Sequence, residues 1–195
     1  MSEPRDRVLE AAYECIGRFG MGKTTIDDVA KVSGISRATI YRLFPGGKDQ
    51  LLRETVGWEM TRFFVSLAEA VVSAPDFPSL VEEALVFAHR RVREHEVLQK
   101  VLVTEPDRLL PLMTVESERV VAAITNFVRP YLEAEDAAGR LRAGVDVDQS
   151  ADWVARTTLS LIGSPGSNDL DDPAAVRHLV RTHLLGPVLV QDEPV

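Results

Sequence analysis

Residues 25–44, TIDDVAKVSGISRATIYRLF, constrain the fold more tightly than any other stretch of this chain. Thr25 stands three residues before Asp28, the spacing of a capping box, and Ile26, Val29 and Ala30 share one helical face behind it. Val32-Ser33-Gly34 breaks that helix, and Gly34 supplies the left-handed conformation that a sharp turn needs. Ser36 caps a second helix, which carries Arg37, Ala38, Thr39, Tyr41 and Arg42 around an inward Ile40. Two short helices joined by a glycine turn, the second with small polar and cationic side chains outward, make a helix-turn-helix. The second helix of such a motif enters the DNA major groove, so double-stranded DNA is the predicted partner.

The rest of the chain keeps the helical period. Val8, Leu9, Ala12, Cys15, Ile16 and Phe19 predict a first helix over 4–19, ended by Gly20 and Gly22. Further helices are predicted at 48–73, 79–95, 97–103, 109–137, 149–163 and 173–188, with Met113 on the apolar face of the fourth of these. Pro130 lies inside the 109–137 pattern and predicts a kink or an early end there. The stretch 163–173, rich in Gly, Ser, Pro and Asp, separates the last two helices, and the tail after Val190 reads as frayed. No strand pattern competes, so the fold class is all-α: a three-helix head followed by a helical body, about nine helices in total. The expected boundary puts a DNA-binding domain at 1–50 and a second domain at 51–195.

At 195 residues with 45% hydrophobic side chains, the chain can bury a real core. Its longest apolar runs are too short to span a bilayer, and the acidic N-terminus lacks the apolar segment of a signal peptide. A single cysteine, Cys15, excludes an internal disulfide and a cysteine zinc site, and its apolar register suggests a buried structural thiol. A cytoplasmic protein without membrane contact is expected. The net charge of −8 looks wrong for a DNA binder until it is divided. Residues 1–53 hold nine Lys/Arg against seven Asp/Glu, whereas the remainder holds thirteen against twenty-three. An N-terminal region that meets phosphate and an acidic body that does not are implied.

The N-terminal helix, the segment TTIDDVAKVSGISRATIYRLF and the Lys48-Asp-x-Leu-Leu after it resemble the TetR/AcrR family of one-component transcriptional regulators. The match is dense over residues 7–53 and architectural beyond, although ADWVARTTLSLIGSP (151–165) is similar to the penultimate helix of many members. The resemblance implies a homodimer with two heads, and a helical body that binds a small-molecule effector. It further implies that the effector changes head spacing and releases DNA. One departure stands out: three residues, Pro45-Gly46-Gly47, separate Phe44 from Lys48 where the family usually has two. The extra glycine shifts the point at which Lys48 emerges towards phosphate.

Several DNA-contacting residues are expected. Arg37 is placed to reach guanine O6 and N7, and Thr39 to meet a base edge or a thymine methyl. Tyr41 and Arg42 suit phosphate or thymine-methyl contact, with Ser36 and Ala38 beside them. Lys23, Thr24 and Thr25 precede a helix N-terminus, where free amides favour phosphate; Lys48 completes the set. Against this stands the plainer reading of a solvated surface helix, which the complete motif disfavours.

Residues 17–24 also spell G-x-x-x-x-G-K-[ST], the P-loop string. It follows an amphipathic helix where a P-loop follows a strand, so a nucleotide-dependent enzyme is disfavoured, and neither catalytic residue nor cofactor is expected. In the body, Trp58, Phe63, Phe87, His89, Phe127, Tyr131 and Trp153 are ligand-cavity candidates, each equally readable as ordinary core. The four histidines are scattered without H-x₃-H spacing, which predicts no metal. The apolar faces of 149–163 and 173–188 are the expected homodimer interface, and an apolar effector is the expected ligand. Repression is favoured over activation by the resemblance alone.

Overall fold

The structure, a computed structural model, describes residues 3–190; the side chains of 110–117, Met113 among them, and the tail after Val190 lie outside the described residues. Among the described residues the chain is all-α: α1 (Pro4–Phe19), α2 (Ile26–Ser33), α3 (Arg37–Leu43), α4 (Gly47–Val71), α5 (Phe77–Arg93), α6 (Glu96–Thr104), α7 (Pro106–Ala137), α8 (Val147–Gly163) and α9 (Pro173–His178). A π-helical turn, Leu179–Leu184, follows α9 directly.

The helices gather into two compact units. The first comprises Met1–Ser66 and Glu94–Thr114, hence α1–α3, the first part of α4, α6 and the start of α7. Its core joins Val8, Leu9, Ala11, Ala12 and Cys15 of α1 to Ile26, Val29, Ile40, Phe44 and Leu51. A neighbouring cluster sets Ile16, Met21 and Leu52 against Val101 and Leu109. Burial raises the Cys15 thiol above its ordinary pKa, as a structural cysteine requires. The expected apolar face of α1 is reproduced except at Phe19, which is 47% exposed. Phe19 is the last residue of α1, where the helix has already given way to the Gly20 connection.

The second unit comprises Leu67–Arg93 and Val115–Val195. Here α5 buries Phe77, Leu80, Val81, Leu85 and Ala88, and packs on both α8 and α9. Ala151, Val154 and Ala155 of α8 and Val176, Val180 and Leu184 further on are buried in the same unit. Part of each expected interface stripe is therefore buried within this unit, whereas Leu159, Ile162 and Leu179 stay half-buried. The outward faces of the last helices carry Trp153, 45% exposed, together with Arg156, His178, Thr182 and His183.

Two expectations need correction. Helix α7 continues through Pro130 to Ala137, with no early end. Pro130 and Asn126 both lie on the exposed side, where water can take the carbonyl that proline leaves unpaired. The predicted helix 173–188 is α-helical only as far as His178, then widens to a π turn closed by Leu185 N–H donating to the Val180 carbonyl at 2.8 Å.

Candidate nucleic-acid interface

Local chemistry builds the motif as its residues dictate. The Thr25 hydroxyl accepts from the Asp28 amide (3.2 Å), while the Asp28 carboxylate accepts from the Thr25 amide (3.1 Å) and hydroxyl (2.5 Å). These hydrogen bonds, the Thr25 hydroxyl's first, hold the Asp28 carboxyl below its usual pKa. Replacing Thr25 by alanine should cost about 1 kcal/mol of stability, read from the urea midpoint. The sign with pH follows from the lowered pKa: Asp28's contribution is complete above the unfolded carboxylate's pKa. It disappears as pH falls through the lower folded value, so an NMR titration of Asp28 should show a midpoint below about 3.9.

Gly34 closes α2 with φ 67°, and its amide donates to the Ala30 carbonyl at 3.0 Å. Ser36 then caps α3 by accepting from the Thr39 amide at 3.2 Å, while their hydroxyls lie 3.0 Å apart. Thr39 is half-buried on this account. Arg37, Ala38, Tyr41 and Arg42 form one exposed arc of α3, opposite the fully buried Ile40.

The arc stands on a stiff base supplied by α1. Arg7 Nη2 donates to the Ser33 carbonyl at 2.8 Å, and Arg5 Nη1 to the Leu43 carbonyl at 3.0 Å. Two arginines of α1 thus hold the last carbonyls of α2 and α3, where positive charge is favoured by the helix dipole. Arg5 also pairs with Glu54 and lies 4.6 Å from the centroid of the Phe44 ring. Sequence reasoning counted both cations as part of the basic surplus and missed this structural use, which only the α1 register reveals.

A second set of contacts fixes the connection before α2. Gly22 N–H donates to Glu105 Oε2 at 2.6 Å, and Lys48 Nζ donates to the Gly22 carbonyl at 2.6 Å. Lys100 Nζ donates to the Gly17 carbonyl at 2.6 Å and to that of Arg18 at 3.2 Å, at the end of α1. The one extra residue before Lys48 is accommodated at Gly47, with φ 64°, whose amide donates to the Phe44 carbonyl at 2.9 Å. Lys48 accordingly reaches the α1–α2 connection.

The remaining expected contacts divide. Lys23 and Thr25 are exposed, but Thr24 is 1% exposed. Its hydroxyl and amide both donate to the Gly20 carbonyl, at 2.7 and 3.2 Å. The P-loop string offers no phosphate cradle: Gly17–Phe19 are the last turn of α1, and the Gly20 amide donates to the Ile16 carbonyl. Arg37 Nε is 2.9 Å from Asp27 Oδ1, an exposed pair worth at most about 1 kcal/mol. That is less than the roughly 1–3 kcal/mol of a bidentate guanine contact, so DNA can outcompete Asp27 for the guanidinium.

The seven aromatic and histidine candidates are divided between the two units. Trp58 packs on the first unit's core, 6.4 Å from the Tyr13 ring, with Arg62 over its face at 4.6 Å. Phe63 meets Phe64 edge to face. In the second unit Tyr131 stacks on Phe77 at 6.1 Å and lies 5.7 Å from Phe127. Phe87 and His89 are half-buried on α5, and Trp153 Nε1 donates to the Leu184 carbonyl at 3.0 Å.

Residues 8–55 match the family described as bacterial regulatory proteins, tetR family. Rv1255c of Mycobacterium tuberculosis, an uncharacterized HTH-type transcriptional regulator, is 27% identical over 90% of this chain and 82% of its own length. Another from that organism, Rv0196, is 41% identical over 58 residues, 30% of each chain. A Mesorhizobium loti structure described as a TetR-family transcriptional regulator superimposes with a TM-score of 0.64 at 15% identity, covering 96% of this chain and 97% of its own. Salmonella enterica GusR gives 0.62 at 20% identity, covering 95% of each chain; at such identities these likenesses speak to the fold. The matched relatives are transcriptional regulators, and no described helix is long and apolar enough to cross a membrane. The helix-turn-helix built on α2 and α3 thus lies within the stretch that matches the tetR-family model, and the relatives matched along most of the chain are HTH-type transcriptional regulators.

Proposed function

We propose that the chain acts as a homodimeric, ligand-responsive repressor in the cytoplasm, binding a pseudo-palindromic operator through its two heads. Residues 1–50 serve DNA and 51–195 serve effector binding and dimerisation. The observation that carries this reading is the exposed arc Arg37, Ala38, Tyr41 and Arg42, backed by the buried Ile40 and Phe44. Arg37 reads guanine, Tyr41 and Arg42 take phosphate or thymine methyl, and Lys23 and Thr25 meet the adjoining phosphates. Ser36 and Thr39 join through their hydroxyls, while Thr24 and Lys48 serve by shaping the connection before α2. Dimerisation uses α8 and the segment 173–188, where Leu159 and Ile162 are half-buried and Trp153 is exposed.

The effector is small and apolar, and the second unit's Phe87, His89, Phe127, Tyr131 and Trp153 are its candidate contacts. It displaces DNA only in proportion to its differential affinity for the two head spacings. Selection from random duplexes followed by footprinting tests the proposal. A protected inverted repeat, with half-site centres about 34–36 Å apart or a multiple of that, is the expected result. Binding with no sequence preference would overturn it. A thermal-shift screen then identifies effectors, because ligand binding to the native state raises apparent stability.

A further inference from the structure

The loop Pro45-Gly46-Gly47, with its extra residue, joins α3 to α4. Pro45 and Gly46 are exposed, yet a chain of side-chain hydrogen bonds ties the loop down. Gly46 N–H donates to Gln50 Oε1 at 2.6 Å, and Gln50 Nε2 donates to Glu54 Oε1 at 2.7 Å. The second oxygen of Glu54 pairs with Arg5 Nη2, and Arg5 Nη1 donates to the Leu43 carbonyl at 3.0 Å. Three side chains from α1 and α4 thus bridge the exit of α3, from its last carbonyl to the loop amide. A Cβ on Gly46 would stand 3.0 Å from both Gln50 Cβ and Gln50 Oε1, so only glycine lets the loop lie this close.

The order of groups in this relay is chemically specific. Residue 50 must accept from an amide and donate to a carboxylate, which a glutamine does in one orientation only. The Arg5 and Glu54 side chains are 41% and 30% exposed, so their ion pair contributes little to stability. Its effect is geometric. Helix α3 is seven residues long, capped by Ser36 at its start and held by this relay at its end. Tyr41 belongs to the same arrangement, since a Cβ on Gly47 would lie 3.8 Å from its ring.

We propose that Gln50 and Glu54 are positioning residues for sequence readout: with Arg5 they set the tilt at which α3 presents its exposed arc to DNA. This rests on the reading of α3 as the helix that enters the major groove. Hydrogen bonds to base edges weaken steeply with distance and angle, so a change of tilt costs Arg37 its base contact. Phosphate contacts carry no sequence information and suffer less. Gln50 and Glu54 therefore govern the preference for operator while acting through α3.

The test exchanges the two groups. Gln50→Glu sets carboxylate against carboxylate, and Glu54→Gln sets amide donor against amide donor. The double variant Gln50→Glu with Glu54→Gln restores every hydrogen bond of the relay and keeps the net charge. Fluorescence anisotropy of the full chain, with the duplex selected from random sequence and a scrambled one, reads the ratio of the two affinities. Each single change should lower that ratio about fivefold or more, and the double variant should return it to within about twofold. Circular dichroism checks helix content, and Gln50→Ala, which interrupts the relay without repulsion, should lower the ratio too. An unchanged ratio would overturn the proposal, as would strictly additive losses in the double variant. Equal weakening on both duplexes would also overturn it, because it marks a direct phosphate contact. Arg37→Ala measured alongside separates two failures. If it too leaves the ratio intact, α3 is not the reading helix; if it alone abolishes the preference, only the positioning role falls.

Discussion

Truncation of Phe44 to alanine is expected to remove about 3–5 kcal/mol of stability from the first unit, a large part of what a domain of this size possesses. The ring is fully buried with Val8, Ile40 and Leu51, and Arg5 lies over it. The substitution leaves a cavity under α3 and deprives the Arg5 guanidinium of its aromatic partner. Because the chain has two compact units, the loss is best read by hydrogen exchange of the α1–α3 amides rather than from one global melting curve. Protection of those amides should fall by two orders of magnitude or more. Unchanged protection would mean that α3 does not depend on the core beneath it.

The second large effect concerns affinity. Arg37→Ala is expected to weaken specific binding about 10- to 100-fold for each half-site, since a bidentate guanine contact contributes about 1–3 kcal/mol. Tyr41→Ala should weaken specific and non-specific duplexes by similar, smaller factors if it contacts phosphate. Asp27→Asn provides a change of opposite sign: it releases Arg37 from a pair at 2.9 Å and removes an anion from the DNA-facing side. Tighter binding with a weaker preference for operator is the expected outcome. Fluorescence anisotropy with operator and scrambled duplexes at two salt concentrations separates these effects. If Arg37→Ala leaves the operator preference intact, the arc on α3 is not the reading surface.

The features legible in the sequence were those whose chemistry is local. Thr25 with Asp28, Ser36 with Thr39, and Gly34 in its left-handed turn act within a few residues of each other, so spacing alone is enough to foresee them. The long helices were legible for a related reason, because apolar periodicity integrates over many residues. Long-range partners were not. Nothing in the spacing of Arg5 and Arg7 signals that they hold carbonyls on α2 and α3, nor that Thr24 turns inward onto Gly20. The π turn was hidden too, since the apolar positions Val176, Val180 and Leu184 satisfy an α-helical period. The stripes on α8 and α9 were visible, but their packing on α5 could not be read from one strand of text.

The grip of Lys100 and Glu105 on the end of α1 and on Gly22 bears on how the head of this chain can be recombined with another body. The profile match stops at residue 55, yet the first compact unit draws on residues 94–114 as well. A chimera joined just past α3 would carry its exposed arc but abandon the ammonium and carboxylate that finish the turn before α2. The donor protein would have to provide equivalents at the corresponding places, or the transplanted head would start with a loosened foundation. The smallest portable piece of this head is therefore discontinuous along the chain, although the proposed reading surface on α3 is not.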